Sequence, residues 1–511
     1  MSKYSLKYLS AATLLALLAA ILPGRAHAFG FSDVVAKAKA LAAKPYVPPK
    51  STPGFLRNLS YDEFQQIRFD PKQSLWHASH SNFQVMLVAP GLYFGHIVHI
   101  HIVDAAGIHT VPFRKDWFSW PNDKLKAKVP PDLGYAGLKL TYPLDNADVQ
   151  NQFLAFAGVS YFRGVARGEN FGLSARGIAV NTGLASGEEF PIFTDFWLVR
   201  PNPHAHSLRF YALLDGPSLT GAYQFLVIPG APTQVKVKTA LFLRKDVKLL
   251  GIAPLTSMFY YGKNTPRPAG EWRGAVHDSG GLLIHSSTGE WLWRPLINPI
   301  TLQMDYFEAN SPKGFGLMQR DRHFRDYQDS EARYDTRPSA WITPRGEWKQ
   351  GHIVLVEIPS ASETNDNIVA FWSPDEAATG GAHYNFDYTL QFGASGIAGE
   401  ELAQTANTFV GSGGNANTYR FVVDFGGGPL AKLSPKAHVE AVVTGLDQAK
   451  ILQQDVEWVE PLKKWRLSFL AQAPAGKTLD LRAFLKSGDK TLSETWTYEL
   501  PANNHIASHG G

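Results

Sequence analysis

Cysteine is absent from the 511-residue chain. Its absence excludes disulfide cross-links, thiol nucleophiles and zinc sites built from cysteine. Long apolar runs are missing after the N-terminus, so no later segment predicts a transmembrane helix. An excess of one charge is missing too, because 49 Lys and Arg residues stand against 45 Asp and Glu residues. This balance does not favour a nucleic-acid partner, whereas a neutral polymer is compatible with it.

The N-terminal segment has the pattern of a secretory signal peptide. A basic stretch precedes an apolar run over residues 11–22, and small residues follow up to Ala28. The apolar run is too short for a comfortable membrane span, and no twin-arginine pair precedes it. We therefore predict a signal peptide over residues 1–28, export by the general secretion route and a mature chain that begins at Phe29.

Short apolar runs bounded by Gly, Pro, Asn and Asp dominate the chain after residue 83, and they predict strands. Two minor helices are predicted over Asp33–Lys44 and Tyr61–Ile67. With so few helices between the strands, an all-β fold with a large antiparallel sandwich is favoured over residues 29–395. The predicted strands include 83–88, 92–103, 208–214, 222–228, 235–243, 281–285, 314–319, 352–358 and 384–391.

The C-terminal part has a different composition at its start. Aromatic residues almost vanish over residues 396–417, where Gly, Ala, Ser, Thr and Asn dominate, so we predict a linker there. Six or seven short, regularly spaced strands follow. They predict an immunoglobulin-like sandwich over residues 418–511.

Aromatic residues are abundant, with 13 Trp, 19 Tyr and 31 Phe. Large β domains bury such side chains routinely, so any single Trp is better interpreted as a core residue than as a ligand contact. An Arg-, Tyr- and Trp-rich segment is the exception that we single out as a candidate sugar platform, with an exposed salt-bridged loop as the equal alternative. It contains Tyr334, Arg337 and Trp341.

Two other patterns suggest chemistry but are rejected. The Asp278–Gly281 stretch echoes the nucleophile loop of trypsin-like proteases, yet His277 and Leu282 stand where that loop has Gly and Pro. His96, His99 and His101 lie in one predicted strand, and the last two share one face, but a third metal ligand is not evident. Hydrogen-bonded strand histidines are the favoured interpretation, and we predict no metal and no cofactor.

Two carboxylate settings remain as candidates. Asp278 precedes a predicted strand, and the polar cluster at residues 363–367 contains Glu363 and Asp366. Each could be a turn whose side chains cap backbone amides. Taken together, they could supply the acid and the base that glycoside hydrolysis requires, since two such groups can come from distant loops on one face of a sandwich.

Long motifs spread over most of the mature chain resemble the osmoregulated periplasmic glucan biosynthesis protein G/D family. The missing twin-arginine signal makes the resemblance to a G-type member the better one. The matching stretches include FGLSARG at 171–177, SGEEFP at 186–191, APLTSMF at 253–259, VHDSGGL at 276–282, GEWLWRPL at 289–296, RYDTRPSAW at 333–341, ETNDNIVAFW at 363–372 and LSETWTYELPAN at 492–503.

The resemblance implies a galactose-mutarotase-like sandwich with a long cleft, followed by an immunoglobulin-like domain, in the periplasm. It also implies an inverting endo-β-1,2-glucanase that trims or releases the glucan backbone. Asp366 would be the general acid, Asp278 would accept the proton of the attacking water, and Glu363 would support them. Tyr334 and Arg337 would grip the substrate beside Trp341.

Other interpretations of the chain stay open. A non-catalytic scaffold that works with an inner-membrane glucan synthase is the main alternative to the enzyme. A polysaccharide lyase or epimerase on a similar sandwich is a remote one. A homodimer is also an open possibility for the assembly.

Overall fold

The structure is a computed structural model, and it describes residues 29–394, 398–399, 401–446, 449–474 and 476–502. The predicted signal peptide over residues 1–28 lies outside the described residues. In the part of the chain that is described, no helix has the length and apolar character needed to cross a bilayer.

Helices are few and short, as predicted. The first helix packs Val34 and Ala38 against Trp197 and Tyr211 on the outside of the larger sheet. The α-helices are α1 Phe31–Ala42, α2 Gly54–Arg57, α3 Tyr61–Gln65, α4 Asp123–Lys128 and α5 Phe324–Tyr327, and the 3-10 helices are Pro71–Gln73, His77–Ser79, Lys115–Trp117, Tyr334–Thr336 and Gly428–Lys432.

Strands far outnumber helices in the described residues, which confirms the all-β prediction. Those before residue 300 are β1 Gln84–Val88, β2 His99–Asp104, β3 Gly107–Thr110, β4 Gly137–Tyr142, β5 Asn151–Ala157, β6 Tyr161–Gly164, β7 Ser174–Arg176, β8 Ala179–Val180, β9 Ile192–Val199, β10 Leu208–Asp215, β11 Leu219–Ile228, β12 Thr233–Leu243, β13 Leu250–Ser257, β14 Phe259–Tyr261, β15 Val276–His277, β16 Gly281–His285 and β17 Trp291–Pro295. Those after it are β18 Gln303–Glu308, β19 Gly314–Met318, β20 Ser339–Arg345, β21 Gly351–Glu357, β22 Ile368–Pro374, β23 His383–Gly393, β24 Gln404–Ser412, β25 Thr418–Gly426, β26 Glu440–Gly445, β27 Lys450–Val459, β28 Lys464–Gln472, β29 Leu479–Ser487, β30 Lys490–Thr491 and β31 Thr495–Leu500.

Two large sheets face each other across the main core. The ten-stranded sheet has the path β1-β4-β5-β6-β7-β13-β22-β21-β18, with β8 beside β13. The fifteen-stranded sheet has the path β26-β29-β31-β17-β16-β19-β20-β23-β12-β11-β10-β9-β2-β3, with β30 beside β29. Successive side chains of a strand point to opposite faces of the sheet, and this alternation determines which residues are buried. On β12, Val235 and Val237 are buried in the core while Lys236 and Lys238 point away.

The C-terminal strands continue the fifteen-stranded sheet. Strand β31 pairs in parallel with β17, which sets Trp496 opposite Trp293. Both rings belong to one buried cluster. The remaining C-terminal sheet contains β24, β25, β28 and β27.

The linker prediction over residues 396–417 is wrong for Gln404–Ser412. This segment forms strand β24 and pairs along its length with β25. Small and polar residues occupy most of its positions, but backbone pairing does not require large apolar side chains.

Candidate functional site

Asp278 lies in the tight connection between β15 and β16, and its side chain is almost fully buried. Its backbone N–H donates to the carbonyl oxygen of Met258 at 2.9 Å. The Arg337 guanidinium donates to the Asp278 carboxylate and lies 4.3 Å from the centre of the Tyr334 ring. Arg337 also donates to the Ala332 carbonyl from Nε at 3.1 Å and from Nη2 at 3.0 Å. Its donors are therefore largely used within the protein.

Burial raises the pKa of the Asp278 carboxyl group. The Arg337 guanidinium opposes this rise, and the negative charge of Asp366 adds to it. The two aspartates predicted to act together therefore lie within electrostatic reach of each other.

Asp366 has a more open setting, with about 33% of its side chain exposed. Arg163 on β6 donates to its carboxylate at 3.3 Å and to the Ser174 hydroxyl at 2.7 Å. Arg163 was not identified from the sequence, because it is far from Asp366 along the chain and belongs to no motif that we singled out.

Asn367 anchors the loop that carries Glu363 and Asp366. Its side-chain oxygen accepts from the Phe259 N–H at 2.9 Å, and its Nδ2 donates to the Phe259 carbonyl at 3.0 Å. Because Met258 holds the backbone of Asp278, two adjacent residues position both aspartate-bearing loops. This shared anchor explains why motifs distant in sequence meet in space.

Glu363 is held by two donors. The Tyr334 hydroxyl donates to it at 2.9 Å, and Arg273 donates to the same oxygen at 2.7 Å. Burial and the Glu363 charge raise the pKa of Tyr334, so its phenol keeps its proton at neutral pH. Arg273 also pairs with Asp329 and Glu271 and was not identified from the sequence.

These contacts bring five of the six predicted site residues together. Direct contacts connect Asp278 to Arg337, Arg337 to Tyr334 and Tyr334 to Glu363. Asp366 is linked to this group because its charge raises the pKa of Asp278. Carboxylates in two different environments are the groups that acid–base chemistry uses.

Residues 29–500 match a family model described as periplasmic glucan biosynthesis protein, MdoG. The chain belongs to this family. Membership assigns it a role in periplasmic glucan biosynthesis and a periplasmic location, and a glucan fits as its partner. The resemblance inferred from the ordered motifs is confirmed over residues 29–500.

Trp341 does not lie with the other predicted site residues of this glucan biosynthesis protein. Only 4% of the residue is exposed. Its ring lies 5.7 Å from the Trp291 ring and belongs to the core cluster shared with the C-terminal strands. The interpretation of Trp341 as a sugar contact is therefore corrected to one of core packing, since the ring has no free face for stacking.

The three histidines differ in their partners, and the buried Nδ1 of His96 has no hydrogen-bond partner among the described residues. His101 contacts Asp195 at 3.0 Å and stacks on Trp197 at 5.2 Å between ring centres, which confirms the favoured interpretation for this residue. Over the described residues, no three His, Asp or Glu side chains are arranged to hold a metal ion.

Proposed function

We propose that this protein is an inverting endo-β-1,2-glucanase that trims or releases the backbone of the periplasmic glucan. The observation that carries the proposal is the pairing of two aspartates in contrasting environments, Asp278 buried and Asp366 partly exposed, on loops anchored at adjacent residues. Inverting hydrolysis needs two carboxyl groups with different tasks on opposite sides of one glycosidic bond.

In the proposed reaction, water attacks the anomeric carbon and the bond to the departing sugar oxygen breaks. Asp278 accepts the proton of the water, and Asp366 gives its proton to the departing oxygen. The Asp366 carboxylate forms an ion pair with Arg163, so the bound substrate must displace this guanidinium before Asp366 can reach the departing oxygen. Tyr334 and Glu363 hold the surrounding polar groups in place.

The direct test uses the purified mature protein and linear β-1,2-glucan. We expect new reducing ends to accumulate, and proton NMR during the first turnovers should show the α-anomer before mutarotation mixes the products. Products with the β-anomer first would contradict the inverting mechanism. No new reducing ends at any protein concentration would contradict the enzyme proposal itself.

A charge change beside Asp278 should shift the pH profile. Replacing Arg337 with Met removes the partner that holds down the pKa of Asp278, so this pKa should rise further. Because a base must be ionised, the acidic limb of kcat/KM should move to higher pH by about one unit or more. Arg333→Met is the matched control, since Arg333 pairs with Asp335 instead. An unmoved limb in the Arg337 variant would argue against Asp278 as the base.

A non-catalytic scaffold is the second candidate. It is favoured by one observation, namely that Asp278, Asp366 and Glu363 each pair with an arginine side chain of the protein itself. Such a scaffold would receive glucan from an inner-membrane synthase. It predicts glucan affinity without turnover, and a double variant Asp278→Asn/Asp366→Asn that still restores glucan synthesis in a strain lacking this gene.

A further inference from the structure

The outer face of the ten-stranded sheet extends away from Asp366. Arg163 faces Ala155 on β5, Ala155 faces Lys139 on β4, and Lys139 faces Met86 on β1. Directly paired residues project from the same face of a sheet. Leu138, the neighbour of Lys139, projects to the opposite face and is fully buried in the core. Arg163 and Lys139 therefore belong to one row on the solvent side.

A cavity of about 530 Å³ lies at the far end of this row. Aromatic rings and polar side chains line it together, among them Phe64, Phe69, Phe94, Lys139 and Gln152. Phe64 comes from helix α3, and its ring centre lies 5.8 Å from that of Phe94. A sugar presents an apolar ring face and hydroxyl groups. Aromatic rings can stack on the first, and neighbouring polar side chains can form hydrogen bonds with the second.

Lys139 adds free donors to this cavity. Within the described part of the chain, its ammonium group has neither a hydrogen bond nor an ion pair, although the residue is half-buried. Burial lowers the pKa of Lys139, which reflects the cost of keeping an unpaired charge there. A ligand that offers hydroxyl oxygens to the ammonium group would remove that cost.

We propose that this cavity is a saccharide subsite that binds a stretch of the glucan chain remote from the bond to be cleaved. The proposal rests on the proposed function, because the row from Arg163 leads from the Asp366 site to the cavity. Three strand intervals separate Arg163 from Met86, which is about 14 Å at the usual spacing between strands. A long glucan chain can therefore occupy the Asp366 site and the cavity at the same time. A disaccharide can occupy only one of the two and serves as the ligand for the Asp366 site alone.

The experiment measures affinity by calorimetry in an Asp366→Asn background, in which the ligand stays intact. Replacing Lys139 with Met should weaken binding of linear β-1,2-glucan about five- to tenfold, as expected for one lost hydrogen bond to a charged group. Disaccharide binding should be unchanged. Lys124→Met on helix α4 is the matched control, since Lys124 is exposed and does not line the cavity; it should leave both affinities unchanged.

A second measurement avoids any effect of a variant on folding. In the Asp366→Asn protein, long glucan should protect Lys139 from an amine-acylating reagent at least fivefold, read by mass spectrometry, while Lys124 stays equally reactive. Three results would each overturn the subsite. The first is the same long-glucan affinity for the Lys139 and Lys124 variants, and the second is an equal loss of affinity for disaccharide and long glucan in the Lys139 variant. The third is that long glucan does not protect Lys139. Absence of all glucan binding would instead remove the proposed function, and the subsite with it.

Discussion

Replacing Asp366 with Asn is expected to lower the rate of β-1,2-glucan cleavage by about two to four powers of ten. The amide keeps the shape of the carboxyl group but has no acidic proton for the departing oxygen. Glucan affinity should change little, because the side chain is partly exposed and Arg163 retains its bond to Ser174. Initial rates of reducing-end formation and calorimetric binding constants give the two quantities separately.

A matched control is Asp375→Asn, which makes the same chemical change on an exposed carboxylate that pairs with His352. It should retain full activity. An aryl glycoside of the same glucan, whose leaving group needs no protonation, should be cleaved by the Asp366 variant at a rate close to that of the unaltered protein. Full activity of Asp366→Asn on the natural glucan would show that another group is the acid.

Strand positions were predictable wherever alternation and turn residues coincide. The strand predicted over 281–285 has these bounds in the structure. The strand predicted over 92–103 is wrong in its first half, because Leu92 adopts a positive φ of 46° and β2 begins only at His99. A short apolar run does not reveal such a local turn, since the turn depends on the backbone and not on side-chain polarity.

The join between the N-terminal and C-terminal strands was not predictable. The composition around residue 400 suggests separate domains, yet β31 pairs with β17 and the two parts share a core. Pairing between distant segments depends on tertiary contacts that a single sequence does not display. A local fall in hydrophobicity indicates only that a segment has few large side chains.

The candidate site was predictable to the extent that its residues lie in dense polar motifs. Tyr334, Arg337 and Glu363 are such residues, and the structure brings them together. Arg163 and Arg273 were missed because their partners are distant in the chain. Clustered carboxylates in a sequence indicate that positively charged partners must lie nearby in the fold. They do not identify which arginines are those partners.

Trp341 shows how composition alone can mislead about a site. A Cβ atom placed on Gly314 would lie 2.3 Å from the Trp341 ring, so this glycine makes room for the ring inside the protein. Whether Trp341 is exposed therefore depends on residues of other strands, among them Gly314 on β19 and Trp291 on β17. Its own Arg- and Tyr-rich segment carries no sign of this packing.

Replacing Glu494 with Gln is expected to destabilise the protein by about 3 kcal/mol, since one partner of a buried ion pair is removed. Only 1% of the Glu494 side chain is exposed. It accepts from Arg320 at 2.6 and 2.9 Å and from the Thr405 N–H at 2.7 Å. Arg320 also lies 3.7 Å from the centre of the Trp293 ring. The pair thus links strand β24 to the sandwich that carries the candidate site.

Urea denaturation followed by tryptophan fluorescence measures this loss, with Glu347→Gln as the control because Glu347 is exposed. The control should change the free energy of unfolding by less than about 0.5 kcal/mol. Most of the cost in the Glu494 variant comes from leaving the Arg320 guanidinium without its counter-charge. The double variant Arg320→Met/Glu494→Gln should therefore be more stable than Glu494→Gln alone, because the Met side chain can still cover Trp293. A double variant with the summed losses of both single variants would show that the two side chains stabilise the junction independently.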